Sequence, residues 1–217
     1  MNRRCVGLSR IPTRVCDMKM PMLILASASP RRSELLHQLG MKFEIIPGNA
    51  TEISSRDLSP GELVKINAFR KARSVSRKHP DALVIGMDTL VALDQEVFGK
   101  PANMKEAHEM LHRLQGRTHR VITGVCLSCM KERRMTLFAE QTEVTFRPLT
   151  GEQISEYHSQ VNPLDKAGAY GIQDKGDMIV DSVKGSFTNV VGLPVERLRS
   201  ELEHWQLKKM AVASAAC

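Results

Sequence analysis

The chain has 217 residues, of which 42% are hydrophobic and 25% charged, the profile of a folded globular domain and not of a disordered chain. Its formal charge of +7 is unevenly placed: Arg3, Arg4, Arg10, Arg14 and Lys19 face only Asp17 within residues 1–20, so the remainder carries a net of only +3. That balance and the 4% aromatic content argue against a nucleic-acid-binding face, and no apolar run approaches the roughly 20 residues of a membrane-spanning helix.

In chain order, residues 1–21 read as a flexible basic extension. It is poor in acids, as transit peptides are, but has no apolar signal segment; Met18, Met20 and Met22 also allow a start further down. From Met22 short apolar runs alternate with amphipathic stretches, the pattern of a mixed α/β domain over 22–208, with 209–217 as a tail. Met22–Ala26 predicts a buried strand. Ser29 as N-cap and Pro30 at the first helical position open a helix striped by Leu35, Leu36 and Leu39 and ended by Gly40. Phe43–Ile46 predicts a strand, and Ser59-Pro60-Gly61-Glu62 is a capping box opening a helix to about Lys78. Ala82–Gly86 is the next buried strand, with Asp88 at its end; Thr89–Leu93 continues extended into a hairpin turn at Asp94-Gln95-Glu96. A helix over Met104–Leu114 precedes strands at Arg120–Ser128 and Met135–Phe146. Thr150-Gly151-Glu152-Gln153 caps another helix to about Ser159. Ala169–Ile172 and Met178–Val183 read as extended, and Pro194–Leu207 as the closing helix.

Three places could carry chemistry. Ser27-Ala28-Ser29-Pro30-Arg31-Arg32 joins a strand to a helix N-terminus, where backbone N–H groups, the helix dipole and two guanidinium groups suit phosphate; the alternative is a plain Ser-Pro helix start with two solvated arginines. Asp88 beside a buried apolar strand costs free energy unless it is paired, bound to a cation or capping a turn. His108-Glu109-Met110-Leu111-His112 is a literal H-E-x-x-H, the zinc-peptidase helix motif, with Gly116 and His119 downstream. Those two fall one residue out of the extended register, and Ala107, Met110, Leu111 and Leu114 define a core stripe that turns both histidines towards solvent. The five cysteines, Cys5, Cys16, Cys126, Cys129 and Cys217, make no disulfide framework; strand alternation sends Cys126 and Cys129 to opposite faces, and a reducing, cytoplasmic setting is expected.

Taken together, Leu25-Ala26-Ser27-x-Ser29-Pro30-Arg31-Arg32, Gly86-x-Asp88-Thr89, Gly99-Lys100-Pro101, Asp165-Lys166-Ala167-Gly168-Ala169-Tyr170-Gly171-Ile172-Gln173 and Val191-Gly192-Leu193-Pro194 resemble the Maf (septum-formation-like) family of nucleoside triphosphate pyrophosphatases. The resemblance implies an α/β fold with a mixed sheet, elongated and two-lobed like the inosine triphosphatases, with a central cleft. It also implies hydrolysis of a nucleoside triphosphate between the α and β phosphates with a divalent cation, Mg2+ or Mn2+. By the same likeness Asp88 is the general base and also a metal ligand with Glu52, while Ser29, Arg32, Lys71 and Lys100 meet the phosphates. For Lys71, close to Phe69 on a helix, snorkelling over the core edge is the alternative.

Arg31, Thr89 and Gln173 match the family's subgroup acting on dTTP and UTP, whose neutral amide and hydroxyl suit a pyrimidine imide edge. Modified pyrimidine triphosphates are further expected substrates. The implied partner is a small nucleotide, with no nucleic acid and no membrane; a homodimer is left open. The competing readings are a zinc metallopeptidase at His108 and His112 and a nucleotide-binding regulator without catalysis.

Overall fold

Side-chain alternation along one long strand, combined with two glycines under a helix, sets the architecture. The computed structural model describes residues 21–55 and 57–215; all but the last residue of the extension expected over residues 1–21 lies outside the described residues, and α6 below runs to Ala215, through most of the stretch expected as a tail. Among the described residues the strands are β1 (Leu23–Leu25), β2 (Glu44–Ile45), β3 (Leu83–Leu93), β4 (Glu96–Phe98), β5 (Thr118–Cys129), β6 (Arg134–Phe146) and β7 (Val180–Lys184). The helices are α1 (Pro30–Gln38), α2 (Pro60–Ser76), α3 (Met104–Leu114), α4 (Gly151–Gln160), α5 (Phe187–Val191) and α6 (Val195–Ala215). The seven strands form one mixed sheet in the order β2-β1-β3-β5-β6-β7, with β4 folded back on β3. β1 is parallel to β2 and β3; the other pairs are antiparallel.

Capping chemistry sets several boundaries. Ser59 and Glu62 form the reciprocal capping box of α2, and Thr150 and Gln153 form that of α4. The turn at Asp94 has φ +54°, which lets β4 return against Val91–Leu93. Three expectations need correction. β3 runs unbroken through Asp88, which therefore sits mid-strand opposite Gly124 and not at a strand end. Ala169–Ile172 is not a strand, because Gly168 and Ala169 both have positive φ and turn the chain through a short 3-10 segment. The short helix α5, capped by Ser186, was not expected from the sequence pattern.

The odd residues of β3 face one side. Leu83, Ile85 and Met87 pack with Leu35 and Leu36 of α1 and Leu198, Leu202 and Trp205 of α6. Val91 and Leu93 pack with α3 and α4 through Leu111, Leu114, Ile154 and Tyr157. Thr89, between these two clusters, is covered by neither. On the opposite side Val84 packs with Ala68, Ala72 and Val75 of α2, and the even positions Gly86 and Asp88 follow it along the same face. Cys126 belongs to the α2-side cluster and Cys129 to the other, so the two thiols do lie on opposite faces.

Helix α2 lies on bare backbone. A Cβ at Gly86 would come 2.3 Å from the Ala68 carbonyl oxygen, and one at Gly124 would come 2.4 Å from that of Val64. No real side chain fits there, and the obstructing atoms are helix backbone, which cannot swing aside. Gly86→Ala and Gly124→Ala are each expected to lower unfolding stability by about 2–3 kcal/mol, the cost of overpacking a close contact. Gly61→Ala, where a Cβ meets nothing within 4 Å, is the control and should stay within about 0.5 kcal/mol in the same urea denaturation series.

Candidate active site

The close approach of α2 brings its polar residues onto Asp88. Lys71 Nζ lies 2.6 Å from Asp88 Oδ1 and 2.6 Å from Glu52 Oε1, joining the two carboxylates through one ammonium. The Asp88 side chain is 5% exposed and that of Lys71 15%, whereas Glu52 is 59% exposed, so only the inner pair is shielded from water. Burial by itself would raise the Glu52 pKa, but the hydrogen bond and charge of Lys71, with Lys100 and Arg32 beyond it, hold it below the ordinary carboxylate range. One helical turn before Lys71, the buried Asn67 donates to Asp88 Oδ2 at 3.2 Å and to the Ile53 carbonyl, and accepts from Ile53 N. It thereby ties the strand aspartate to the loop next to Glu52. Lys71 does not merely snorkel over the core edge.

The basic side is built from the strand-to-helix turn. β1 pairs with β3 only up to Ile85 and β4 only from Val91, so the β3 edge between them is uncovered. Arg32 fills that gap. Its guanidinium donates to the carbonyls of Met87 and Gly192, to Ser27 Oγ and to Thr89 Oγ1, at 2.9–3.2 Å. Burial lowers the Arg32 pKa and the charge of Asp88 opposes that shift. Arg31 reaches the other way, to Asp165 Oδ2 at 2.5 Å and to the Asp165 carbonyl. Neither arginine is simply solvated. The Ser29 side chain does not cap α1; its backbone N–H donates to Ser27 Oγ instead.

The third wall is the loop after α4. Lys166, 7% exposed, donates to the Asn162 carbonyl and Asp165 Oδ1 and pairs with Asp174 Oδ2 at 3.2 Å. Asp174 N donates to the Gly171 carbonyl, closing a four-residue turn with Gln173 in third place. Tyr157 Oη, on α4, accepts from Gly171 N at 3.0 Å and donates to Gly171 O at 3.2 Å. His119 Nε2 pairs with the Tyr170 hydroxyl at 2.8 Å, and His158 Nε2 with the Ala169 carbonyl.

These walls line a single cleft open to solvent. Ser29, Arg31, Arg32, Glu52, Lys71, Asp88, Thr89, Lys100 and Gln173 all line it. Every site residue expected from the sequence is thus brought to one place. Two of them are engaged differently from the simplest picture: Arg31 is paired to Asp165, and Thr89 is bonded to Arg32 and to Thr123 Oγ1. Asn67 and Tyr157 are additions with no sequence motif of their own, since a buried Asn or Tyr is recognisable only once its partners are known; Lys166 stands inside the Asp165–Gln173 run, with no role assigned to it from the sequence.

The H-E-x-x-H segment lies elsewhere, on α3. His112 is exposed, Glu109 pairs with Lys105, and the His108 ring stands 5.2 Å from that of His112 and 6.1 Å from that of His158. Among the described residues no group of three His, Cys, Asp or Glu side chains is arranged to hold a metal ion. The motif is a helix flank with packed rings.

Comparison with known proteins bears on the whole cleft. The family model described as Maf-like protein matches residues 22–205. A dTTP/UTP pyrophosphatase of Bacillus anthracis is 45% identical over 188 residues, covering 87% of this chain and 97% of its own. A protein of the same name from Bacillus velezensis is 47% identical over 186 residues, covering 86% and 97%.

The wall behind Tyr170 makes a pH dependence. Burial depresses the His119 pKa to about 4, so the folded protein keeps this ring neutral where an unfolded histidine, with its pKa near 6.5, is already protonated. The unfolded chain binds the extra proton between those values, so stability rises with pH there: His119 costs nothing above about pH 6.5 and progressively destabilises the fold down to about pH 4. The shift corresponds to roughly 3 kcal/mol. His119→Gln should flatten this part of the stability–pH curve, measured by urea denaturation at closely spaced pH values.

Proposed function

The chain belongs to the Maf family, and we propose that it is a nucleoside triphosphate pyrophosphatase hydrolysing dTTP and UTP to the monophosphate and pyrophosphate. The observation that carries this reading is the convergence of Glu52, Lys71 and Asp88 with Arg31, Arg32 and Lys100 on one cleft, in a chain 45–47% identical to proteins named dTTP/UTP pyrophosphatase. A triphosphate brings several negative charges, and this cleft presents both the cations to neutralise them and the carboxylates to handle a proton and a metal. Modified pyrimidine triphosphates would be drained by the same chemistry, which makes nucleotide-pool cleaning its use. No helix among the described residues is long and apolar enough to cross a membrane.

In this mechanism Asp88 accepts a proton from the water that attacks the α phosphorus, while the bond from that phosphorus to the bridging oxygen breaks and pyrophosphate leaves. Lys71 holds Asp88 in place through Oδ1, and Lys100, also lining the cleft, neutralises charge on the leaving group. Arg32 shapes the floor and sets the positive potential there; Ser29 and the α1 N-terminus face the phosphates. Asp88 and Glu52 fit a divalent cation by donor chemistry: both offer hard carboxylate oxygens, within 2.6 Å of one shared cationic atom, Lys71 Nζ. Mg2+ or Mn2+ held there would screen the triphosphate and polarise its phosphorus. A site with two protein ligands leaves positions for phosphate oxygens and water.

On the base side, Gln173 offers an amide that both donates and accepts, matching the carbonyl and N–H of the thymine or uracil imide edge. Thr89, tied to Arg32, acts by fixing that arginine. Arg31 gives the sugar-phosphate side its remaining positive group. The test is direct: dTTP and UTP with Mg2+ should release pyrophosphate and no orthophosphate. Asp88→Asn should lower kcat by about 100-fold or more, the usual worth of a general base. Full turnover by that variant removes Asp88 from the proposed role, and dTTP binding without any product identifies a regulator instead.

A further inference from the structure

Gln173 sits on a turn, and turns place side chains poorly unless both ends are held. Here both ends are. At the first residue, Gly171, one phenol hydroxyl satisfies both backbone groups at once: Tyr157 Oη takes the N–H at 3.0 Å and gives its proton to the carbonyl at 3.2 Å. A hydroxyl has one proton and two lone pairs, so this double use fixes its orientation. Tyr157 is fully buried, and its ring is packed among α3 and α4 residues, so the anchor itself does not move. Burial pushes its pKa up to about 12, which keeps the donating proton in place at any working pH.

At the last residue, Asp174, the carboxylate is paired to Lys166 Nζ at 3.2 Å. Lys166 is itself buried and held by the Asn162 carbonyl and Asp165. Gly171 is pressed directly onto this pair: a Cβ there would stand 2.6 Å from Lys166 Cε and 2.7 Å from Asp174 Oδ2. Gln173 itself projects from the turn towards the cleft, exposed, with no partner of its own among the described residues.

We propose that Tyr157 and Lys166 are positioning residues for base selection, clamping the two ends of the Gly171–Asp174 turn so that the Gln173 amide meets the imide edge of the pyrimidine. The inference rests on the reading of Gln173 as the base-facing residue and extends it to two side chains that touch no base. Cytosine is the sharpest comparator, because it presents an amino donor and a ring-nitrogen acceptor where thymine presents a carbonyl acceptor and an N–H donor. A fixed amide discriminates the two, and a loosely held one re-orients to suit either.

The experiment compares kcat/KM for dTTP and dCTP, read as pyrophosphate release, in the unchanged full-length protein, Tyr157→Phe, Lys166→Met and Gln173→Ala. Tyr157→Phe keeps the ring and removes the hydroxyl. It should lower the dTTP/dCTP ratio about five-fold or more, the factor one hydrogen bond commonly contributes, mainly by raising KM for dTTP. Lys166→Met keeps the length of the stem and should shift the ratio in the same direction. Loss of folded protein would scale both substrates alike and leave the ratio unchanged, so a merely structural role predicts no shift. If Gln173→Ala erodes the ratio while the unchanged ratio persists in Tyr157→Phe and Lys166→Met, the clamp is overturned and Gln173 survives. If the unchanged protein uses dTTP and dCTP equally, or Gln173→Ala leaves the ratio as it was, Gln173 does not read the base and the proposal falls with that reading.

Discussion

Helix α2 rests on the sheet at two positions that have no side chain, and the polar half of the cleft follows from that contact. With Gly86 and Gly124 beneath it, the helix approaches closely enough for Lys71 and Asn67 to take one oxygen each of Asp88. A carboxylate this deeply buried would be strongly disfavoured without partners, and a single partner would still leave the second oxygen unsatisfied. The ammonium also reaches Glu52 on the outside, so one cation neutralises two anions that face the same space. Even a Cβ at either glycine would lift the helix and separate Lys71 and Asn67 from Asp88.

The cleft occupies a discontinuity in the sheet. On one side of β3 the parallel partner β1 ends at Leu25, opposite Ile85, and the pairing with the antiparallel β4 starts only at Val91, opposite Phe98, the last residue of β4. In the uncovered interval the strand still carries side chains to both faces, Asp88 towards α2 and Thr89 towards the other side, and both reach the gap. A change of neighbour in a mostly wound sheet is where ligands are commonly bound, because no strand or crossover helix fills it. Arg32 closes the backbone account there by accepting no bond and donating four, two of them to carbonyls.

The α1 side and the Gln173 side of the cleft are mechanically joined. Arg31 at the start of α1 pairs with Asp165, Asp165 shares its carboxylate with Lys166, and Lys166 holds Asp174 at the end of the Gln173 turn. This chain of charges runs from the start of α1, proposed to face the phosphates, to the Gln173 turn, proposed to face the base. The Asp165 pKa illustrates the balance: burial would raise it, and the bonds and charges of Lys166 and Arg31 bring it below the ordinary value. Similar opposition holds at Glu52, where the effect of burial is outweighed by Lys71, Lys100 and Arg32, which keep the pKa below the ordinary value.

Much of this was legible in the chain itself. Ser59 with Glu62 and Thr150 with Gln153 announced helix starts because a cap is local chemistry, satisfied within four residues. The stripe of Ala107, Met110, Leu111 and Leu114 fixed both the extent of α3 and the outward turn of His112, and the ordered set of short motifs pointed to nine residues that now share one cleft. Other features depended on contacts distant in sequence. Asp88 is expected at the end of the Ala82–Gly86 strand, whereas β5 pairs with β3 without interruption from Val84 to Ala92 and sets Gly124, 36 positions on, opposite Asp88. Ala169–Ile172 looked extended by composition, but Tyr157, His158 and His119 hold it as a turn. Residue type and spacing therefore determined the elements and the chemical inventory, since both arise from neighbours along the chain. Only the tertiary structure decided which charges are paired, which arginine is committed and which tyrosine holds the loop, because each of those depends on what long-range packing removes from water.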